Sequence, residues 1–245
     1  MKKHLLYLPV FILILLLRNL VGYAQEEGKS DGFETLYRNA IANSIYPEHN
    51  KVSKNLLAIT EANKRLIWKT INHEQYVLVV TWQADTSYYH RNSPYNTGNY
   101  MIWVTAVPEL KDVCRRSGDS DLRLKQRFGL PPDAKKKFFV EFWVRPADLF
   151  RPCPDSDITD SECQLCFPAN TDSSYISWFN RNRVNSYYNC TLYSTYPWTQ
   201  LGYSYDWNPD NRKHTGFSEF IIGKNKDILV NNYYTSEDYC RGKHK

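Results

Sequence analysis

The sequence predicts an α+β fold, a single domain with a mainly antiparallel sheet, flanking helices and disulfide-braced loops. Strand-like runs come in groups, with helical runs before and between them, rather than in the strict alternation of a doubly wound sheet. Those runs are rich in β-branched and aromatic residues and are bounded by Gly, Pro, Asn and Asp. The scale agrees: 245 residues, 42% of them hydrophobic, suit one core of ordinary size, and no repeat or low-complexity linker divides them.

The first 24 residues stand apart. Lys2 and Lys3 precede an uncharged apolar run over 5–17, Arg18 closes it, and Gly22 and Ala24 occupy the −3 and −1 positions of a cut after Ala24. This is the layout of a secretory signal peptide. The run is shorter than the ~18–20 residues that span a bilayer, and Pro9 interrupts it; an uncleaved anchor is the alternative. The expected product is a domain over 25–245, secreted or periplasmic, with no stable membrane insertion. The signal holds Lys2, Lys3 and Arg18 and no acid, so its removal lowers the net charge from +5 to +2. The one basic run, Lys135 to Lys137, is a solvated loop. Nucleic acid is therefore not an expected partner.

Helical spacing is read over 33–46 and again over 53–62, where Ser53 can cap and Leu56, Leu57 and Ile59 supply apolar positions. Strands are expected over 65–71 and 76–83, joined by a hairpin turn at 72–75, and a third over 99–107 after an exposed loop. Pro108 suits the first turn of a short helix, and 121–128 is another, stopped by Gly129 and by Pro131 and Pro132. The run 137–144 is a strand with Phe139, Glu141 and Trp143 on one face and Phe138, Val140, Phe142 and Val144 on the other. A Pro/Asp/Cys segment over 145–172 leads to a helix over 173–187 capped by Ser173 or Ser174, then an aromatic coil over 188–209. A last hairpin pairs 216–222 with 227–234.

All six cysteines, Cys114, Cys153, Cys163, Cys166, Cys190 and Cys240, lie after the signal. An even count in an exported chain reads as a disulfide framework, and six cysteines allow 15 complete pairings. A Cys190–Cys240 bridge would tie the C-terminus back, and Cys114 and Cys153 could pair with Cys163 or Cys166. Zinc binding by Cys153, Cys163 and Cys166 and a redox pair at Cys163 and Cys166 are the alternatives, but one C-x2-C and an outlier do not make the usual ligand set, and Pro152, Pro154 and Pro168 surround a motif that should open a helix. The acidic stretch from Asp155 to Glu162 lacks the glycine and glutamate of a calcium loop and reads as solvated. No cofactor or metal is expected.

No catalytic motif of a hydrolase, metalloprotease or nucleotide-binding enzyme is present. The aromatic coil offers ring faces for a carbohydrate or other ring-bearing ligand through Tyr196, Trp198, Tyr203, Tyr205 and Trp207. Glu141, Asp206, His214 and Glu219 are candidates for acid/base chemistry; Glu141, on its strand, is equally read as an exposed acid or a partner of Arg145. Three classes follow. A binding protein predicts exposed rings lining a groove. An extracytoplasmic hydrolase or toxin-like enzyme predicts that two titratable groups converge within ~6 Å. An envelope interaction protein with no small-molecule site predicts buried rings.

Three stretches, WVRPADLFRPCPDSDITDSEC (143–163), PWTQLGYSYDW (197–207) and GFSEFII (216–222), resemble segments of an uncharacterised family of secreted bacterial proteins. The resemblance extends over 65–230. It implies a secreted, bacterial, single-domain protein and carries no activity or catalytic residue with it.

Overall fold

The computed structural model describes residues 32–117 and 120–242; the predicted signal peptide lies outside them. Helix α1 covers 32–44. Strands β1 (Trp68–Ile71) and β2 (Glu74–Gln83) form a hairpin. Its turn is Asn72-His73, both at positive φ (49° and 67°), the conformation of a two-residue type I′ turn. Edge strand β3 (Ser93–Asn96) follows, then β4 (Ile102–Ala106), which runs directly into α2 (Val107–Ser117). Next come α3 (Asp121–Arg127), β5 (Phe138–Val144), β6 (Leu149–Phe150) and α4 (Ser173–Tyr187). The chain closes with β7 (Tyr203–Tyr205), β8 (Thr215–Ser218), β9 (Phe220–Ile222), β10 (Asp227–Thr235) and α5 (Ser236–Cys240).

The fold is α+β. The main sheet has eight strands in the order β3-β10-β5-β2-β4-β9-β6, with β1 also on β2, and its pairings are antiparallel. A separate ribbon joins β7 to β8. Alternation along β5 divides the core as the sequence predicts. Val140, Phe142 and Val144 enter one cluster with Val77, Val79 and Ile222. Phe139 and Trp143 enter another with Leu78, Val80 and Trp82, under α2, α3 and α5.

Several expectations are corrected. Residues 53–62 form no helix. The segment is extended against 158–161, with Leu56 N–H donating to Ser161 O (2.9 Å) and Ile59 N–H to Ile158 O (2.6 Å). Leu57 and Ile59 enter one core cluster and Leu56 another, so the apolar spacing serves a period of two. Part of the loop expected over 84–98 is edge strand β3, with Tyr89 buried. Asp172, not Ser173 or Ser174, caps α4, accepting from the N–H groups of Ser174 and Tyr175.

The expected hairpin of 216–222 with 227–234 does not form: β9 pairs with β4 and β6, and β10 with β3 and β5. Three strands separate β9 from β10, about 19 Å across a flat sheet at ~4.8 Å per step. Four linking residues reach at most about 17 Å, so the sheet must curl. The link is held from both edges: Asn225 N–H donates to Gly98 O and Gly223 N–H to Asp148 O.

Two disulfides are present. Cys114–Cys240 ties α2 to α5, and Cys153–Cys163 closes a loop of separation 10. The Cys190–Cys240 pairing is thus corrected: Cys240 sits on α5, which packs against α2, and Cys166 and Cys190 are exposed free thiols. Asp155 lies near the sulfurs of Cys153 and Cys163, but those sulfurs are spent on each other. The acidic loop is not simply solvated; it wraps the fully buried Arg151, which donates to the carbonyls of Asp157 (2.7 Å) and Asp160 (2.7 Å). Among the described residues, no helix is long and apolar enough to cross a membrane.

Candidate functional site

The aromatic coil is largely core. Trp207, 2% exposed, packs against Phe33 and Tyr37 of α1, and its indole donates to Leu130 O at 2.9 Å. Tyr203 is buried with its hydroxyl on Lys51 O at 2.7 Å. Tyr205 is buried beside the stacked ring of His214, with centroids 4.7 Å apart. Trp198 is buried among Trp103, Trp178 and Phe179. Of the five rings predicted to hold a ligand, only Tyr196 is well exposed, at 45%.

The four predicted titratable residues are held apart by different partners. Glu141 is buried: Tyr239 hydroxyl donates to Oε1 (3.0 Å), Asn231 amide to Oε2 (2.7 Å), and Lys111 lies 3.4 Å away. It is neither the exposed strand acid nor the partner of Arg145 that its position allows; Arg145 binds Asp148 instead. Asp206 is fully buried and grips Arg123 through two bonds of 2.8 and 2.6 Å, with Asn211 and the Asn208 N–H completing its acceptors. Burial pushes its carboxyl up, but the Arg123, Asn211 and Asn208 bonds outweigh that and hold it below the usual carboxylate range. The His214 ring meets the backbone carbonyl of Asp206, 3.0 Å from Nδ1, and Asp206 N–H donates to His214 O at 2.8 Å, so the ring does not touch the carboxylate. A carbonyl can only accept, so Nδ1 carries the proton.

Glu219 differs. It falls between β8 and β9, where the chain leaves the ribbon for the main sheet, and its N–H is fixed on Gly202 O (2.9 Å). Its side chain lines a cavity of ≈870 Å³. That cavity fills a fork in the main sheet. Strands β2 and β4 pair only at Val79–Ala106 and Val80–Thr105. Beyond that point Thr81, Trp82 and Gln83 stay with β5 while Ile102, Trp103 and Val104 turn to β9. Both diverging strands line the cavity, and Tyr196 and Trp198, with one face of α4, close it.

Three residues that line this space each carry a buried polar atom without a hydrogen-bond partner: Glu219 Oε2, Trp198 Nε1 and Asn182 Nδ2. Burial pushes the Glu219 carboxyl up to about 8. The residue still shows some surface to the cavity, but the protein mass packed round the carboxyl sets its proton affinity, so it is neutral at pH 7. Burial also lowers Lys136, which lines the same space. The rest of the polar lining is neutral, notably Asn182 and Asn185 on α4 and Asn189 just beyond its end. Exposed Tyr88 and Tyr100 join Tyr196 in the lining.

Sequence reasoning placed Glu219, Tyr196 and Trp198 here but missed Trp103, Asn182, Tyr88 and Tyr100. A signal for the helix face was present: asparagines at 182 and 185 stand three apart on α4. Comparison of the chain with protein-family models, curated proteins and solved structures finds no match to any of them.

Proposed function

We propose that the protein is an extracytoplasmic binding protein for a neutral, ring-bearing ligand of carbohydrate type, held in the cavity at the sheet fork. The observation that carries this reading is the trio of buried, unpartnered polar atoms, Glu219 Oε2, Trp198 Nε1 and Asn182 Nδ2, on residues that line an aromatic cavity. Leaving such atoms unpaired costs about 1–3 kcal/mol each, and a bound hydroxyl-bearing ring removes that cost. Ring faces with amide and neutral carboxyl groups suit an uncharged polyol face better than an ion. The signal-like leader and two disulfides support export.

Tryptophan fluorescence tests the reading, because Trp82, Trp103 and Trp198 line the cavity. A panel of neutral oligosaccharides is expected to give at least one saturable change, weakened about tenfold by Tyr196→Ala and by Asn182→Ala. No saturable response, or one indifferent to both substitutions, defeats it. Hydrolysis of the bound sugar is a second reading, favoured by Glu219 being protonated at neutral pH as a general acid must be. Release of new reducing ends by the native protein but not by Glu219→Gln separates catalysis from binding.

A further inference from the structure

Behind the β7–β8 ribbon lies a second depression, ≈810 Å³, with Tyr205 shared between the two lining sets. Ser218 and Glu219 are successive residues of an extended chain and serve opposite sides: Ser218 lines this depression and Glu219 the cavity at the fork. The second space differs in charge. Arg127, Lys54, Arg212 and Lys213 line it, and none has an ion-pair partner among the described residues. Lys51 also lines it, but it is already committed to Glu48 and to the carbonyls of Asn43 and Tyr46.

Arg127 is the informative residue. It leaves α3 with its guanidinium 5.2 Å from the Phe217 ring centroid, and its Nε is buried without a partner. Two carboxylates are near enough for it to feel their charge, Asp206 and Glu109, and both are taken. Asp206 has its oxygens filled by Arg123, Asn211 and Asn208. Glu109, the single acid lining the depression, accepts from Ser218 N–H, Ser218 hydroxyl and Thr105 hydroxyl. Burial also pushes its carboxyl up, which diminishes the one negative charge present. The lining therefore offers cations with one carboxylate, already hydrogen-bonded, to set against them.

We infer that this depression binds an oxyanion group of the phosphate or sulfate class, gripped by the Arg127 guanidinium and neutralised by Lys54, Arg212 and Lys213. A guanidinium fork matches such oxygens two at a time, and the flexible lysines add point charge. A neutral ligand would accept hydrogen bonds from Arg127 but would leave the unpaired positive charge of the lining uncompensated. This site is distinct from the carbohydrate cavity and does not depend on it.

Isothermal titration calorimetry of the mature protein at low salt, with inorganic phosphate, pyrophosphate and sulfate as probes, tests the site. One-to-one saturable binding of at least one probe is expected, weakening as sodium chloride rises. Arg127→Gln should weaken it about tenfold or more. The exposed triple variant Lys54→Ser, Arg212→Ser, Lys213→Ser should also weaken it, and it decides the matter if Arg127→Gln does not fold. Glu219→Gln and Tyr196→Ala should leave it unchanged, which separates this site from the sugar reading. No saturable binding of any probe at millimolar concentration, or binding untouched by the triple variant, overturns the inference.

Discussion

Asp206 and Glu219 lie thirteen positions apart in one aromatic-rich stretch, and both carboxyls sit deep in the protein. Their chemistry is opposite. Every oxygen of Asp206 is engaged by Arg123, Asn211 or the Asn208 amide, and its proton affinity is lowered. Glu219 Oε2 has no partner, and burial raises its pKa to about 8. The difference teaches how to separate an acid that builds the fold from one left without a partner. Depth alone does not do it, since both are deep; the hydrogen-bond inventory does.

Breaking the satisfied pair should have the largest effect. Arg123→Ala leaves Asp206 buried with its charge uncompensated, which costs on the order of 3–5 kcal/mol. Urea unfolding is expected to show that loss. Trp207→Ala, which empties the packing between α1 and the 130 region, should fall in the same range of about 3–5 kcal/mol. A loss below about 1 kcal/mol for Arg123→Ala would mean that Asp206 is not held as described.

The second prediction concerns pH, where the two acids carry opposite signs. Glu219 binds its proton up to about 8 when folded, against 4.5 ordinarily. The folded state therefore holds a proton that the unfolded chain has lost between those values. The stability linked to that proton is full below 4.5 and disappears as pH rises through about 8. Asp206 is depressed instead, so its contribution is present above the unfolded carboxylate pKa and disappears as pH falls through the lower folded value. Glu219→Gln, which keeps a neutral side chain at every pH, should flatten the alkaline decline by on the order of a few kcal/mol and leave the acid limb alone. Unfolding curves at pH 5, 7 and 9, set roughly across the Glu219 window, decide it; an unchanged alkaline limb contradicts the assignment.

Much of this contrast was invisible from the sequence, and the reasons are specific. Local rules carried what they govern: the Asn72-His73 turn, the two faces of β5 and the helix over 173–187 all follow from period and turn chemistry. Leu56, Leu57 and Ile59 fit either period, and only the distant partners Ser161 and Ile158 make their segment extended. The pairing of β9 and β10 depends on the curl of the whole sheet, which no short window encodes. Asp206 and Glu219 look alike as letters because the partner that separates them, Arg123, lies 83 positions away. Arg127 and Glu109 escaped notice because each stands on its own amphipathic helix, where a charged residue reads as solvated.

A smaller effect separates ring from ring. Tyr196 is 45% exposed in the cavity lining, whereas Trp207 is 2% exposed. Tyr196→Ala should change stability by less than about 0.5 kcal/mol while weakening sugar binding about tenfold. Equal losses of stability in the two variants would return Tyr196 to the core and remove it from the site.

The cysteines repeat the contrast of engaged and free groups, and the free pair carries the least energetic consequence of all. Cys114, Cys153, Cys163 and Cys240 are paired, and Cys166 and Cys190 are exposed thiols. Under native, non-reducing conditions an alkylating reagent should reach Cys166 and Cys190 alone, because alkylation requires an accessible thiolate. Reduction should then expose the other four, adding about four daltons from two opened bridges. The double substitution Cys166→Ser and Cys190→Ser should alter unfolding by less than about 0.5 kcal/mol, since neither side chain is buried. Opening Cys114–Cys240 releases the tie between α2 and α5, with Tyr239 and its bond to Glu141 beside it, and should cost about 2–4 kcal/mol. Peptide mapping that finds Cys190 joined to another cysteine would redraw this framework and, with it, the loop that leads from α4 to Tyr196.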